Sequence, residues 1–269
     1  LRSRQHRLMV RTLFQDIGLL GADAPTLIRP RDQLSLHVAI YDGGGAGASG
    51  PRNLQKVMKT IPRSLAWPIG PSDILDGALV HFDVVIFPGG SGSKQAAALG
   101  IEGRDKVSTF VDHGGGFIGI CAGAYLAAAN YSWSLKICDY NTFCEAREIP
   151  GVGRKSMWYR GPSSTVTMQL TPDGNEVFGH SGEPLTVRYH NGPIVSRAGI
   201  PELSDYQVLA WFRSEVSRYK TQRGTMINTP AIVSGKFGKG RVLSISPHPE
   251  SSQNLHPLVA RAIRWAGGP

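Results

Sequence analysis

The sequence predicts an α/β fold, a doubly wound and mostly parallel sheet with additional antiparallel strands in the C-terminal half. Three observations carry this. Residues 83–87 (Asp-Val-Val-Ile-Phe) and 117–120 (Phe-Ile-Gly-Ile) are short, nearly continuous apolar runs, the pattern of strands covered on both faces. Helical patterns at 96–99, 107–111 and 122–129 alternate with them, as crossover helices of a parallel sheet do. Beyond Thr165 that alternation gives way to short strands divided by turns.

In chain order, residues 1–33 are basic, then interrupted by proline, and read as an N-terminal arm leading into one domain over 34–269. The first strand is Leu36 to Tyr41, followed by a glycine-rich turn from Asp42 to Gly50. A short helix is expected over Gln55 to Ile61 and a strand over Leu65 to Trp67. After the strand 83–87, Pro88-Gly89-Gly90-Ser91-Gly92 stops the chain, and His113 to Gly116 ends the helix before 117–120. Strands follow at 165–170, 185–189, 208–212, 231–233 and 242–245, the last two joined by a hairpin-like Gly235 to Gly240 connection. The final helix, 256–266, carries Leu258, Ala262 and Trp265 on a core-facing stripe. No internal repeat or low-complexity linker divides the domain.

Composition restricts the function classes. The 269 residues carry 41% hydrophobic and 18% charged side chains, ordinary for a globular protein and unlike collagen, coiled coil or a disordered chain. A net charge of +9 would draw anions, nucleic acid included. The basic residues are dispersed, however, and no nucleic-acid module is recognisable, so no nucleic-acid partner is expected. The dense part, Arg2, Arg4, Arg7 and Arg11, reads as a solvated arm. No apolar run reaches membrane-spanning length. The chain begins with Leu rather than Met, which reads as a processed or trimmed start and leaves the compartment open between cytoplasm and export. Three cysteines, Cys121, Cys138 and Cys144, have no zinc-type spacing, and no metal or cofactor is expected. Cys138 and Cys144 would either bridge in an oxidising compartment or remain two half-buried thiols.

Gly119-Ile120-Cys121-Ala122-Gly123-Ala124 lies where a strand stops and a helix starts. A nucleophile on such a sharp turn needs small residues two before and two after it. The first N–H groups of the helix then face the reacting centre and favour a thiolate. A buried structural cysteine in a Gly/Ala-rich contact is the plainer alternative. Ser246-Pro247-His248-Pro249-Glu250 follows another strand. His248 would take and return the cysteine's proton, and Glu250, two residues on and on the same side of an extended chain, would hold the imidazole. A surface turn explains that segment equally simply when it is taken alone. Gly89 and Gly90 end a buried strand and free backbone N–H groups at the carboxyl edge of the sheet. The expected oxyanion hole is Gly90 N–H with Ala122 N–H. A phosphate-binding loop competes for these glycines, but no Gly-Lys-Ser/Thr follows.

Phe-Pro-Gly-Gly at 87–90, Gly-Ile-Cys-Ala-Gly-Ala-Tyr at 119–125 and Ser-Pro-His-Pro-Glu at 246–250, in that order, resemble the class I glutamine amidotransferase superfamily. Within it, the Cys-Ala-Gly-Ala-Tyr elbow is most similar to the domain at the N-terminus of eukaryotic biotin–protein ligases and in stand-alone bacterial proteins. Arg188-Tyr189-His190-Asn191-Gly192-Pro193 resembles that family's Tyr/Asn/Gly segment. The resemblance covers residues 36–266. It implies a flavodoxin-like sheet and a triad of Cys121 as nucleophile, His248 as base and Glu250 as orienter, attacking a carboxamide through a thioester. Two departures matter, of which the first counts against glutamine as substrate. The elbow continues Ala122-Gly123-Ala124-Tyr125 where glutaminases carry a bulky residue and then Gly-His or Gly-Gln, and no synthetase or biotin-ligase catalytic segment follows in this sequence. The Ala-Gly-Ala pattern also resembles the serine elbow of peptidase E and cyanophycinase, which implies simple amide hydrolysis.

The leading expectation is a cysteine-dependent hydrolase or amidotransferase-like enzyme that cleaves the C–N bond of a small polar or peptide-like amide through a thioester at Cys121. Gly89, Tyr125, Tyr189, His190 and Asn191 are the expected substrate-binding residues, although an exposed turn accounts for 189–191 as well. The alternatives are a catalytically inactive binding or regulatory module, and an oligomer subunit that supplies ammonia to another chain. A homo-oligomer is compatible with all three.

Overall fold

The computed structural model describes residues 35–143, 145–155, 159–180, 182–218 and 224–268. The predicted arm over 1–33, and any role of Cys144, lie outside the described residues. The chain opens with β1 (Leu36–Tyr41), α1 (Gly50–Met58), β2 (Ser64–Ile69) and α2 (Pro71–Leu75). Next come β3 (Val84–Phe87), α3 (Gly92–Asp112), β4 (Gly116–Ile120) and α4 (Ala122–Ala127). Short strands β5 (Tyr140–Thr142), β6 (Arg147–Ile149) and β7 (Gly153–Lys155) lead to β8 (Ser164–Leu170), α5 (Pro172–Phe178), β9 (Leu185–Tyr189) and β10 (Val195–Arg197). β11 (Gln207–Phe212), β12 (Pro230–Phe237), β13 (Gly240–Ile245) and α6 (His256–Ala266) complete it.

Among the described residues the main sheet has the order β2-β1-β3-β4-β13-β12-β11-β8-β9. The strands from β2 to β13 run parallel, and those from β13 to β9 pair antiparallel. The fold is therefore α/β and flavodoxin-like, with its antiparallel strands drawn from the C-terminal half. Near-continuous apolar sequence makes the parallel strands two-faced. Val38 and Ile40 of β1, Val84 and Ile86 of β3, and Ile118 and Ile120 of β4 join one core with α1 and α6. Ala39, Tyr41, Val85, Phe87 and Phe117 point the other way, into a second core with α3 and Leu126 and Ala127 of α4. Burial on both faces removes β3, β4 and residues 38–41 of β1 from water, the main driving force for a sheet of this kind.

Chain order and spatial order diverge at one decisive place. β13 inserts between β4 and β12, pairing Ile245 with Ile120. Two segments separated by more than a hundred residues thus leave the sheet side by side at its carboxyl edge. β3 pairs Phe87 with Gly119 on the other flank of β4 and brings the Pro88–Gly90 turn to the same edge. The strand order also reverses between β1 and β3, which opens the kind of crevice where ligands bind in such sheets.

Several elements depart from expectation. The helical patterns at 96–99 and 107–111 form one element, α3, broken only at Gly100, whose φ of 66° and ψ of −173° no helix allows. β12 extends to Phe237 and closes a hairpin with β13 across Gly238, at φ 55°. The two-stranded pairings β10–β5 and β6–β7 are not predicted by the sequence, because three residues carry too little alternation to register. α5 did have a signal: Thr171 caps the Gly174 N–H, Pro172 opens the helix and Gly179 ends it in the left-handed region.

Candidate active site

The sharp turn at Cys121 begins with β4. Cys121 adopts φ 52° and ψ −95°, outside the regions open to L-residues without strain. Its N–H donates to the Ile245 carbonyl at 2.8 Å, which ties the turn to β13. A Cβ on Gly119 would stand 2.4 Å from the Gly123 backbone, and one on Gly123 would stand 2.2 Å from the Phe87 carbonyl oxygen. The glycines two before and two after the cysteine are required because helix, strand and neighbouring strand meet there without room for a methyl group. The cysteine side chain is 6% exposed, and its sulfur donates to the His190 carbonyl at 3.4 Å.

His248 arrives from β13. Its N–H donates to the Arg188 carbonyl at 2.7 Å, so the antiparallel half curls back and its edge strand β9 latches the histidine loop. Its Nδ1 lies 2.8 Å from Glu250 Oε1, and both side chains are buried. Gly89 packs against the imidazole: a Cβ there would meet Cε1 at 2.5 Å. Burial drives the His248 pKa down, but the charge of the Cys121 sulfur, a side-chain hydrogen bond with it and the Glu250 carboxylate outweigh burial and push it up to about 10. The raised value makes protonated His248 a stabilising feature of the fold. That contribution is fully present below the imidazole's ordinary value near 6.5 and is lost as pH rises through about 10. Urea denaturation of wild type and His248→Asn should therefore converge in stability as pH climbs through this window. A stability difference that stays flat from pH 6.5 to 10 contradicts it.

These groups line a cavity of about 360 Å³ with Gly47, Ser49, Gly90, Ala122, Tyr125, Tyr159, Arg188, His190 and Asn191. Gly47 N–H donates to Gly89 O and Ser91 N–H to Gly45 O, bracketing the Ala46/Gly90 bridge. In that antiparallel pattern the Gly90 N–H turns away from Ala46. Ala122 N–H, at the first turn of α4, has no intrahelical acceptor. Both glycine turn and helix start face the cavity that holds the sulfur.

The expected substrate-binding residues divide. Gly89, Tyr125, His190 and Asn191 line the cavity. Burial pushes the His190 pKa down, assisted by the Arg188 and His248 charges, which keeps this ring neutral. Tyr125 donates its hydroxyl to the Asn191 carbonyl at 3.0 Å. The Asn191 side chain is occupied by the neighbouring loop, accepting from Arg160 N–H at 2.6 Å and donating to Gly161 O at 2.9 Å. Tyr189 is not in the lining. It is 1% exposed, donates to Gly192 O at 2.7 Å and packs edge-on against Phe212, because alternation along β9 turns it into the core while its neighbours face the cavity. Arg188, Tyr159 and Ser49 join the site without having been expected. Alternation from Tyr189 was the signal that could have found Arg188. No group of three or more His, Cys, Asp and Glu side chains is placed to hold a metal among the described residues, and no helix there is long and apolar enough to cross a membrane.

The half-parallel sheet, with a sharp turn at its carboxyl edge, is of the glutamine amidotransferase-like class of α/β fold. The chain belongs to the family described as biotin-protein ligase, N terminal, whose model matches residues 36–263. A biotin–protein ligase of Schizosaccharomyces pombe is 25% identical over 248 residues, covering 83% of this chain and 35% of the relative. The chain thus spans about a third of that relative's length. Solved structures share the fold at low identity. A ThuA-like protein from Bacteroides uniformis aligns with a TM-score of 0.58 at 14% identity, covering 91% of this chain and 95% of that one. A glutamine amidotransferase from Thermotoga maritima aligns at 0.53 and 11% identity, covering 87% and 99%.

Proposed function

We propose that the protein is a cysteine-dependent hydrolase that cleaves a C–N amide bond of a small polar or peptide-like substrate. The observation that supports this reading is the buried Glu250 Oε1–His248 Nδ1 pair at 2.8 Å, lining the same cavity as the strained Cys121. The sulfur attacks the amide carbonyl carbon, forming a C–S bond, and the carbonyl oxygen gathers charge against the N–H groups of Gly90 and Ala122. His248 passes the thiol's proton to the leaving nitrogen as the C–N bond breaks, and the amine departs. Water then adds to the thioester, His248 takes its proton and returns one to sulfur, and the carboxylic acid leaves. Glu250 holds the imidazole with Nε2 towards sulfur throughout.

Covalent labelling tests the premise. Burial pushes the Cys138 thiol up to about 12, and it is 1% exposed, so it offers almost no thiolate at neutral pH. Iodoacetamide at pH 7.5 should modify Cys121 at least about 100-fold faster than Cys138, read by peptide mass spectrometry. Equal rates would remove the activated nucleophile. Amine release from a panel of primary and secondary amides then identifies substrates, with Cys121→Ser as the blank.

A further inference from the structure

We infer that Arg188 is a specificity-determining residue that binds a carboxylate on the substrate beside the scissile amide. The inference rests on the reading of Cys121 as the nucleophile and extends it to a substrate class: amides of amino acids or short peptides that present a free carboxylate.

Four observations support it. Arg188 lines the cavity that holds Cys121 and His248. Its backbone carbonyl accepts the His248 N–H at 2.7 Å, so the residue carrying the cation is fastened directly to the residue beside the sulfur. Its guanidinium is oriented by neutral partners, with Nε donating to Ser163 Oγ at 2.9 Å and Nη1 to Ser251 Oγ at 3.4 Å. Among the described residues no carboxylate lies within ion-pair distance of it. The acidic side chain in the lining, Glu250, already has one oxygen committed to His248.

An arginine held in place by two hydroxyls, next to a reacting centre and lacking a counter-ion, is arranged to receive an anion. Compare Arg160, which is equally near in sequence to the site's loops but is buried against Glu215 and the Val216 carbonyl. Arg160 braces the fold; Arg188 keeps its charge available. A carboxylate fits better than a point anion because the guanidinium's planar fork accepts two oxygens in parallel. The neutral His190 beside it adds a hydrogen-bonding group without adding a competing charge.

The test uses the intact protein and needs no natural substrate. N-Iodoacetylglycine and N-iodoacetyl-β-alanine carry a carboxylate at two reaches from an identical reactive carbon; their primary carboxamides are neutral twins. In each case the Cys121 sulfur displaces iodide and a C–S bond forms. We expect at least one carboxylate probe to label wild-type Cys121 about tenfold faster than its neutral twin, the factor that one charge-assisted hydrogen-bonded pair supplies at a half-open site. Arg188→Gln should bring that ratio to about one, and Arg188→Lys should retain part of it. Using the ratio cancels any change in thiol reactivity. Wild-type ratios near one at both reaches, or a ratio that survives Arg188→Gln in protein of native circular dichroism, overturn the proposal; the second result assigns the preference to the His248 charge. Slow labelling by the neutral probes would instead count against the activated cysteine, and the two failures are thereby told apart.

Discussion

Replacing Cys121 by serine is expected to lower amide turnover by roughly 10⁴-fold or more while leaving the fold in place. Serine is close in size to cysteine, and the unusual backbone at this position is imposed from outside. The close contacts of Gly119 and Gly123 and the hydrogen bond from residue 121 to the Ile245 carbonyl persist whichever side chain sits there. What changes is the nucleophile, whose proton His248 can no longer remove with the same ease. His248→Asn should cost a similar factor, and the double substitution little more than either single one, because groups that act as a unit fail as a unit. Initial rates of amine release measure this, with the mass of a trapped acyl adduct as a second readout. A Cys121→Ser protein retaining more than about a tenth of the activity removes the covalent mechanism. A His248→Asn loss that adds fully to the Cys121→Ser loss would show that the two groups work separately.

The residues that meet at this edge differ in how far the sequence announces them. β3 and β4 fall within a residue of their predicted bounds, since a strand buried on both faces shows itself as an uninterrupted apolar run, and β1 and β9 match theirs, β9 through its alternation of apolar and polar residues. Cys121 is legible because its elbow needs glycine at two fixed offsets, a local steric demand. Arg188 is not. Nothing in its neighbourhood along the chain indicates that β9, at one end of the sheet, curls back to accept a hydrogen bond from His248, which follows a strand in the middle. The role of Asn191 is hidden for the same reason, because its side chain is spent on residues 160 and 161, thirty positions away. Sequence patterns report periodicity and local sterics well. They carry little about which loops converge once a strand inserts out of order, as β13 does between β4 and β12.

The close approach of the elbow helix to β3 predicts a damaging structural substitution. Gly123→Ala is expected to destabilise the protein by about 3 kcal/mol. The added methyl would stand 2.2 Å from the Phe87 carbonyl oxygen, 2.9 Å from its Cβ and 3.0 Å from its carbonyl carbon. The nearest atom belongs to the backbone of β3, which is held by β1 on one side and β4 on the other and has no freedom to retreat. The elbow would have to lift from the sheet, and with it the Cys121 hydrogen bond to Ile245 and the packing of Tyr125 against the core. For a domain of this size the loss amounts to a fall in melting temperature of roughly 6–12 °C. Gly70→Ala is the control. There φ is −109°, and the nearest atom to an added Cβ is 3.7 Å away on the Asp73 side chain, an ordinary contact. That substitution should change stability by no more than about 0.5 kcal/mol, or raise it slightly by restricting the unfolded chain. Differential scanning calorimetry of the pair decides the matter. If Gly123→Ala melts within a degree or two of Gly70→Ala, helix α4 is not pressed against β3, and the placement of the sulfur over the sheet edge loses its physical basis.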